Sequence, residues 1–258
     1  SKRGWTRQEL LVALRLYCLL PFGRLHSRTP AIVACAEALG RTPSALAMKL
    51  TNIASLDPTI TSTGRKGLSR ASKADQDAWR KMNADWDRFT VESESALKET
   101  GCLFIIKDAV KPNSDSLEED VASLSTDRVA RTQIRLGQDF FRRTVLSAYN
   151  NRCCITGLAI PRLLVASHIV PWAADKHNRL NPRNGLALSA LHDKAFDQGL
   201  ITIRHDMTVH VSKRGNGTDG EFYAMAIQAF DGKPIFLPEK FRPENEFLAY
   251  HRRNVFIG

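Results

Sequence analysis

The sequence is short of cysteine, of Cys-x-x-Cys pairs and of long hydrophobic runs, and each shortage removes a class of protein. Its five cysteines, Cys18, Cys35, Cys102, Cys153 and Cys154, are an odd number without framework spacing. A disulfide scaffold is therefore not expected, and a reducing cytoplasm of bacterial type suits the chain. Without a Cys-x-x-Cys pair, a structural zinc site of the usual spacing is not expected either. The longest apolar stretches, such as Leu10–Leu14 and Leu16–Phe22, are too short to span a bilayer. The basic start Ser1-Lys2-Arg3-Gly4 is not followed by an apolar run of signal-peptide type. No internal repeat and no low-complexity tract occurs.

What is abundant is positive charge. The chain has 258 residues, 43% hydrophobic and 25% charged, an ordinary globular balance and enough for two cores. Lys and Arg outnumber Asp and Glu by 37 to 27, a net charge of +10, which points to a polyanionic partner. The excess is unevenly placed. Residues 1–89 hold 15 basic and 7 acidic side chains, residues 90–127 hold 3 and 9, and residues 128–258 hold 19 and 11. Two basic modules flank an acidic connector, which includes Lys111–Asp120 and has few residues able to form a core. The division expected is a helical unit over 1–95, an acidic linker over 96–127 and a second unit over 128–258. Cys102–Ile106, a short apolar run, reads as a strand or buried turn.

The first unit reads as helical. Thr6 and Glu9 have capping-box spacing, and a helix should run from there to about Leu20. Ala31–Leu39 gives a second helix closed by Gly40, and Thr42-Pro43-Ser44 opens a third. The stretch Leu39–Leu50, with the opening Trp5-Thr6-x-x-Glu9-Leu10, resembles Myb/SANT-like helix-turn-helix folds. That resemblance would turn Arg41, Thr42, Ser44, Lys49 and Asn52 towards phosphates or base edges. The alternative is an all-helical packing unit in which Gly-Arg-Thr-Pro is simply a turn. Trp79, Met82, Trp86 and Phe89 recur at helical spacing as a core stripe.

The second unit carries the chemistry. Arg131–Asn150 reads as an amphipathic helix with Ile134, Phe141, Val145 and Tyr149 near one face. Arg152–Leu158 reads as a strand entering a turn, and Leu163–Trp172 as a strand ending on His168. A polar loop with His177, Arg179 and Arg183 leads to Asn184–Gly199, read as a tight turn and then a helix closed by Gly199. Ile201–Ile203 and Val209–Val211 alternate like a hairpin.

Four ordered motifs stand in this region: Cys-x-Ile-Thr-Gly, Ala-Ser-His-Ile-x-Pro-Trp, Asn-Gly-Leu-x-Leu and Phe-Asp-x-Gly. Together they resemble the HNH (ββα-metal) endonuclease superfamily, in the branch common among restriction enzymes, over roughly residues 131–258. The fold class expected is α+β, an all-helical unit followed by a ββα-metal nuclease unit with flanking helices and a hairpin. The resemblance implies a general base at His168 and a loop brace at Asn184. It also implies one divalent cation, Mg²⁺ or Mn²⁺, and products with 5′-phosphate and 3′-hydroxyl ends. The metal side departs from the family pattern, because Asp193 stands where a histidine usually falls. Asp193 and Asp197 share a helix face and suit a hard cation. Ser167 precedes the base where many relatives carry a stronger ligand, and His192 lies one helical step aside, towards phosphate or as an alternative ligand. Arg142, Arg143, His177, Arg179 and Arg183 are the candidate DNA contacts of this unit.

Three readings remain open at this point. One is a restriction endonuclease acting on double-stranded DNA, with room for a modified target. Another is a DNA-binding protein with a degenerate nuclease site, and the third is a nuclease for RNA or without sequence choice. One site per chain leaves room for a homodimer that cuts both strands, and no membrane partner is expected.

Overall fold

The computed structural model describes residues 3–62, 71–109, 126–215 and 220–258; Lys111–Asp120 lies outside them. Seven helices come first: α1 (Arg7–Leu19), α2 (Pro30–Ala38), α3 (Pro43–Ala54), α4 (Pro58–Thr61), α5 (Lys73–Ala84), α6 (Trp86–Glu99) and α7 (Cys102–Ala109). The capping box that starts α1 is complete, with Thr6 accepting from the Glu9 amide and Glu9 accepting from the Thr6 amide. Proline at the first turn opens α2 and α3, and Thr42 caps α3 through the Ala45 amide. Gly40, with φ +62°, reverses the chain between α2 and α3.

Helical structure continues past residue 95, where the linker was expected to begin. That position falls inside α6, and Ala96, Leu97, Cys102, Leu103 and Ile106 are all buried. Cys102–Ile106 is helical rather than a strand or turn: α7 packs against α2 and α6. An apolar run of five residues shows no period of its own, and here the neighbouring helices decide.

The second unit begins with α8 (Thr126–Ala148), whose exposed and buried faces follow the amphipathic pattern. Then come β1 (Leu164–His168), β2 (Gly185–Ser189) and α9 (Ala190–Asp197). The hairpin β3 (Ile201–Ile203) and β4 (Val209–Val211), the short α10 (Glu221–Ala226) and α11 (Asn245–Asn254) complete the chain. β1 and β2 pair antiparallel, with His168 opposite Gly185 and Leu164 opposite Ser189. Two expectations need correction. Arg152–Leu158 is a turn region, tied down by the Cys154 amide on the Ala187 carbonyl at 2.7 Å, and is not a strand. Gly185–Ser189, expected as turn and helix start, is the second strand; its five residues are all buried, so no alternation betrays it.

The two units share one core. Tyr17 of α1 meets Phe241 edge-on at 5.7 Å, Trp79 of α5 stacks on Phe241 at 6.2 Å, and Trp86 of α6 reaches Phe140 of α8 at 6.2 Å. Arg15 of α1, almost wholly buried, lies over the Phe140 ring and bonds Ser93 and Glu94 of α6. Among the described residues no helix is long and apolar enough to cross a membrane.

The C-terminal α11 is fastened by His251, which is 1% exposed. Its Nδ1 accepts from the Thr202 hydroxyl at 2.8 Å, and its Nε2 donates to the Phe196 carbonyl at 3.1 Å. The ring stacks on Phe196 at 3.6 Å. Burial pushes this imidazole down to about 4, although the Phe196 carbonyl pulls the other way. The unfolded chain therefore takes up a proton between about pH 6.5 and 4 that the folded chain refuses. Stability from this group is complete above pH 6.5 and is lost as pH falls towards 4, a change of about 3 kcal/mol. Urea unfolding midpoints at pH 7.0 and 4.5 should show that loss, and His251→Gln should flatten it. A variant with the wild-type slope would place the proton uptake elsewhere.

Candidate active site

β1 delivers His168 to the end of the two-stranded ribbon, and four neighbours define its ring. Phe141 of α8 stacks parallel to it at 3.9 Å, and Trp172 meets it edge-on at 5.5 Å. Gly185, opposite on β2, leaves the room this stack needs: a Cβ there would stand 3.0 Å from Phe141 Cζ and 2.5 Å from Val145 Cγ2. The fourth neighbour is the Arg179 carbonyl oxygen, 2.8 Å from Nε2. A carbonyl only accepts, so Nε2 carries the hydrogen and Nδ1 is left as the basic nitrogen. Burial pushes the imidazole below its ordinary value, while the Arg179 carbonyl and the negative charge of Asp193 act against that shift. A neutral, acceptor-ready ring at neutral pH follows.

Asn184 sits beneath this strand end, fully buried. Its Oδ1 accepts from the Val170 amide at 2.8 Å, and its Nδ2 donates to the carbonyls of Val170 and Asn178 at 3.2 and 3.3 Å. Its own carbonyl accepts from the Ile169 amide at 3.0 Å. The chain leaving His168 is thus clamped to the turn that enters β2. Asp175 organises the intervening loop, accepting from the amides of His177 and Asn178 and from the Asn178 side chain.

The carboxylates lie on α9. Asp193 is half-buried and Asp197 exposed, one turn apart. The Asp197 carboxyl is pushed up by partial burial and then by the charge of Asp193, with Lys194 opposing. Two oxygen donors that repel each other are what a hard divalent cation relieves, so this pair fits such an ion held by one or two carboxylates, water and phosphate. Among the described residues no three His, Cys, Asp or Glu side chains converge on one point. Ser167 is buried, and its hydroxyl has no hydrogen-bond partner among the described residues. Strand alternation turns it to the face opposite His168. His192 is also buried: its Nδ1 lies 2.8 Å from the Ser189 hydroxyl and its ring meets Phe230 edge-on. Among the described residues no hydrogen bond or ring contact joins His192 to His168.

The basic candidates divide sharply. Arg41 bonds both carboxylate oxygens of Glu9 and the carbonyls of Arg3 and Gly4, and lies over Trp5. Lys49 is buried against Asp75 at 2.7 Å. The expectation that these two turn outwards is corrected: both charges are engaged inside the helical unit, because their acidic partners lie across the helices. Thr42 caps α3, Ser44 is exposed, and Asn52 is half-buried. Arg143 pairs with Asp139 at 3.4 Å, and Arg142 reaches the Pro161 carbonyl at 3.5 Å. His177 is exposed on the loop. Arg183, also expected to face outwards, is 13% exposed and turns back to Asn83 and Asp57; Arg179 lies over Trp172 and reaches Asp87. The helical pattern and the Gln138-x-x-Phe141-Arg142 segment, itself similar to the nuclease branch, mark Phe141 in the sequence, but neither indicates its stack on His168.

Residues 153–204 match the family model described as HNH endonuclease. No curated protein sequence matches the chain.

Proposed function

We propose that this chain, whose residues 153–204 match the HNH endonuclease family model, hydrolyses phosphodiester bonds of double-stranded DNA with His168 as general base. The observation that carries the reading is the hydrogen bond from His168 Nε2 to the Arg179 carbonyl, which leaves Nδ1 to accept a proton. Nδ1 takes a proton from water, the resulting hydroxide attacks phosphorus, and the bond to the 3′ oxygen breaks. The products carry a 5′-phosphate and a 3′-hydroxyl. Asn184 acts without touching substrate, holding the strand end through its bonds to Val170. A hard divalent ion, Mg²⁺ or Mn²⁺, bound by Asp193 and Asp197, would neutralise phosphate charge and stabilise the leaving oxygen.

The net charge of +10 supports a polyanionic substrate. A restriction role, with the target set by sequence or by a base modification, is the finer form of the proposal. Pairing of two chains would supply one site for each strand. The competing reading, a DNA-binding protein with a degenerate site, draws on Ser167 and Asp193, which stand where the family pattern has stronger ligands. Plasmid cleavage in Mg²⁺, Mn²⁺ and EDTA decides between them, run on unmodified, methylated, hydroxymethylated and phosphorothioated DNA. Metal-dependent cuts on any of these substrates are expected, and binding without cleavage on all of them would overturn the nuclease proposal.

A further inference from the structure

The loop that frames His168 is gripped from outside the nuclease domain. Arg179, whose carbonyl fixes the His168 ring, extends its guanidinium over Trp172 to Asp87 of α6 at 3.4 Å. Arg183, the residue before Asn184, reaches the Asn83 Oδ1 of α5 at 2.7 Å and Asp57 at 3.6 Å, and lies over Phe241. Asp57 is fully buried and is fixed in turn by the Tyr17 hydroxyl, the Phe241 amide and the Thr59 amide. Asn83 is held by its own bond to the Trp79 carbonyl. Both arginines are thus anchored in the helical unit, on groups that are 80 or more residues away in sequence.

Such anchoring has a chemical consequence. The tautomer of His168 depends on where one carbonyl points, and that carbonyl belongs to a loop residue. Loops drift unless something fixes them, and a misplacement of about 1 Å at a reacting group costs about 10²-fold in rate.

We propose that Arg179 and Arg183 are positioning residues, through which Asp87, Asn83 and Asp57 of the helical unit hold the Arg179 carbonyl and the Asn184 turn in register with His168. The first unit of the chain is therefore part of the active-site scaffold. The inference deepens the nuclease reading and rests on it for its kinetic test only. It differs from the view that both arginines contact phosphate, and the helical-side variants separate the two. Neither Asn83 nor Asp87 is a cation that DNA would need.

The experiment measures kcat and KM on plasmid DNA for wild type, Asn83→Ala and Asp87→Asn, with ring-nitrogen NMR of His168 at pH 8 on the same full-length proteins. Positioning predicts about a ten-fold loss of kcat at unchanged KM for each variant. It also predicts that the single Nε2–H form of His168 becomes a mixture of tautomers. Unchanged kcat and unchanged ring-nitrogen shifts would overturn the proposal. So would a lowered KM in Asp87→Asn at constant kcat, the result expected if Asp87 merely competes with phosphate for Arg179. Should wild type not cleave, the nuclease reading fails while the ring-nitrogen spectra still decide whether the helical unit sets the tautomer.

Discussion

His168→Ala should cleave about 10²–10⁴-fold more slowly than wild type, the usual contribution of a positioned general base. The residual rate would come from the cation face of Asp193 and Asp197, which the substitution leaves alone. Affinity for DNA should change little, because the ring is stacked on Phe141 and bonded to a carbonyl rather than turned outwards as a cation. The pH profile gives the second half of the test. Burial holds the His168 imidazole below its ordinary value, so the wild-type rate should rise with pH along an acid limb whose midpoint lies below about pH 6.5, the usual imidazole value. That acid limb should vanish in the alanine variant. Equal rates for the two proteins, or an acid limb common to both, would remove His168 from the chemistry.

Sequence reading and structure agree where local rules govern. The Thr6–Glu9 box marks the start of α1, Thr42-Pro43 opens α3, and the apolar run from Leu163 ends β1 on His168. They part where the decisive partner is distant. Gly185–Ser189 is a strand because it pairs with β1 and is covered by α8 and α9. Cys102–Ile106 is a helix because α2 and α6 receive it. The charged residues carry the same lesson. In a chain with an excess of cations, Arg41, Lys49 and Arg183 all look like phosphate contacts. Each instead meets a buried acid, Glu9, Asp75 or Asp57, brought from 26 to 126 residues away. No spacing rule links such pairs, so the two-module division by charge did not reveal the shared core.

Lys240→Met should destabilise the fold by about 3 kcal/mol. Lys240 is fully buried, and its ammonium donates to the carbonyls of Tyr17, Cys18 and Leu20 at 2.5, 3.1 and 2.6 Å. These are the last carbonyls of α1, a helix with no basic residue in its own final turn. A cation at that end satisfies orphan acceptors and complements the helix dipole together. Burial pushes the ammonium down to about 8, with the negative charges of Asp57 and Glu239 opposing, so it remains charged at neutral pH. Methionine has a similar length and fills the space between the Tyr17 and Phe241 rings, but it leaves up to three buried carbonyls unpaired. Each unpaired carbonyl costs about 1–3 kcal/mol, and the relief of a buried charge offsets part of the sum. For a chain of this size the midpoint should fall by about 6–12 °C. The bond also joins residue 240 to the first helix across the shared core, so the melt should stay a single transition that moves as a whole. An unchanged midpoint would mean that other donors satisfy these carbonyls, and two separated transitions would mean that the units fold independently.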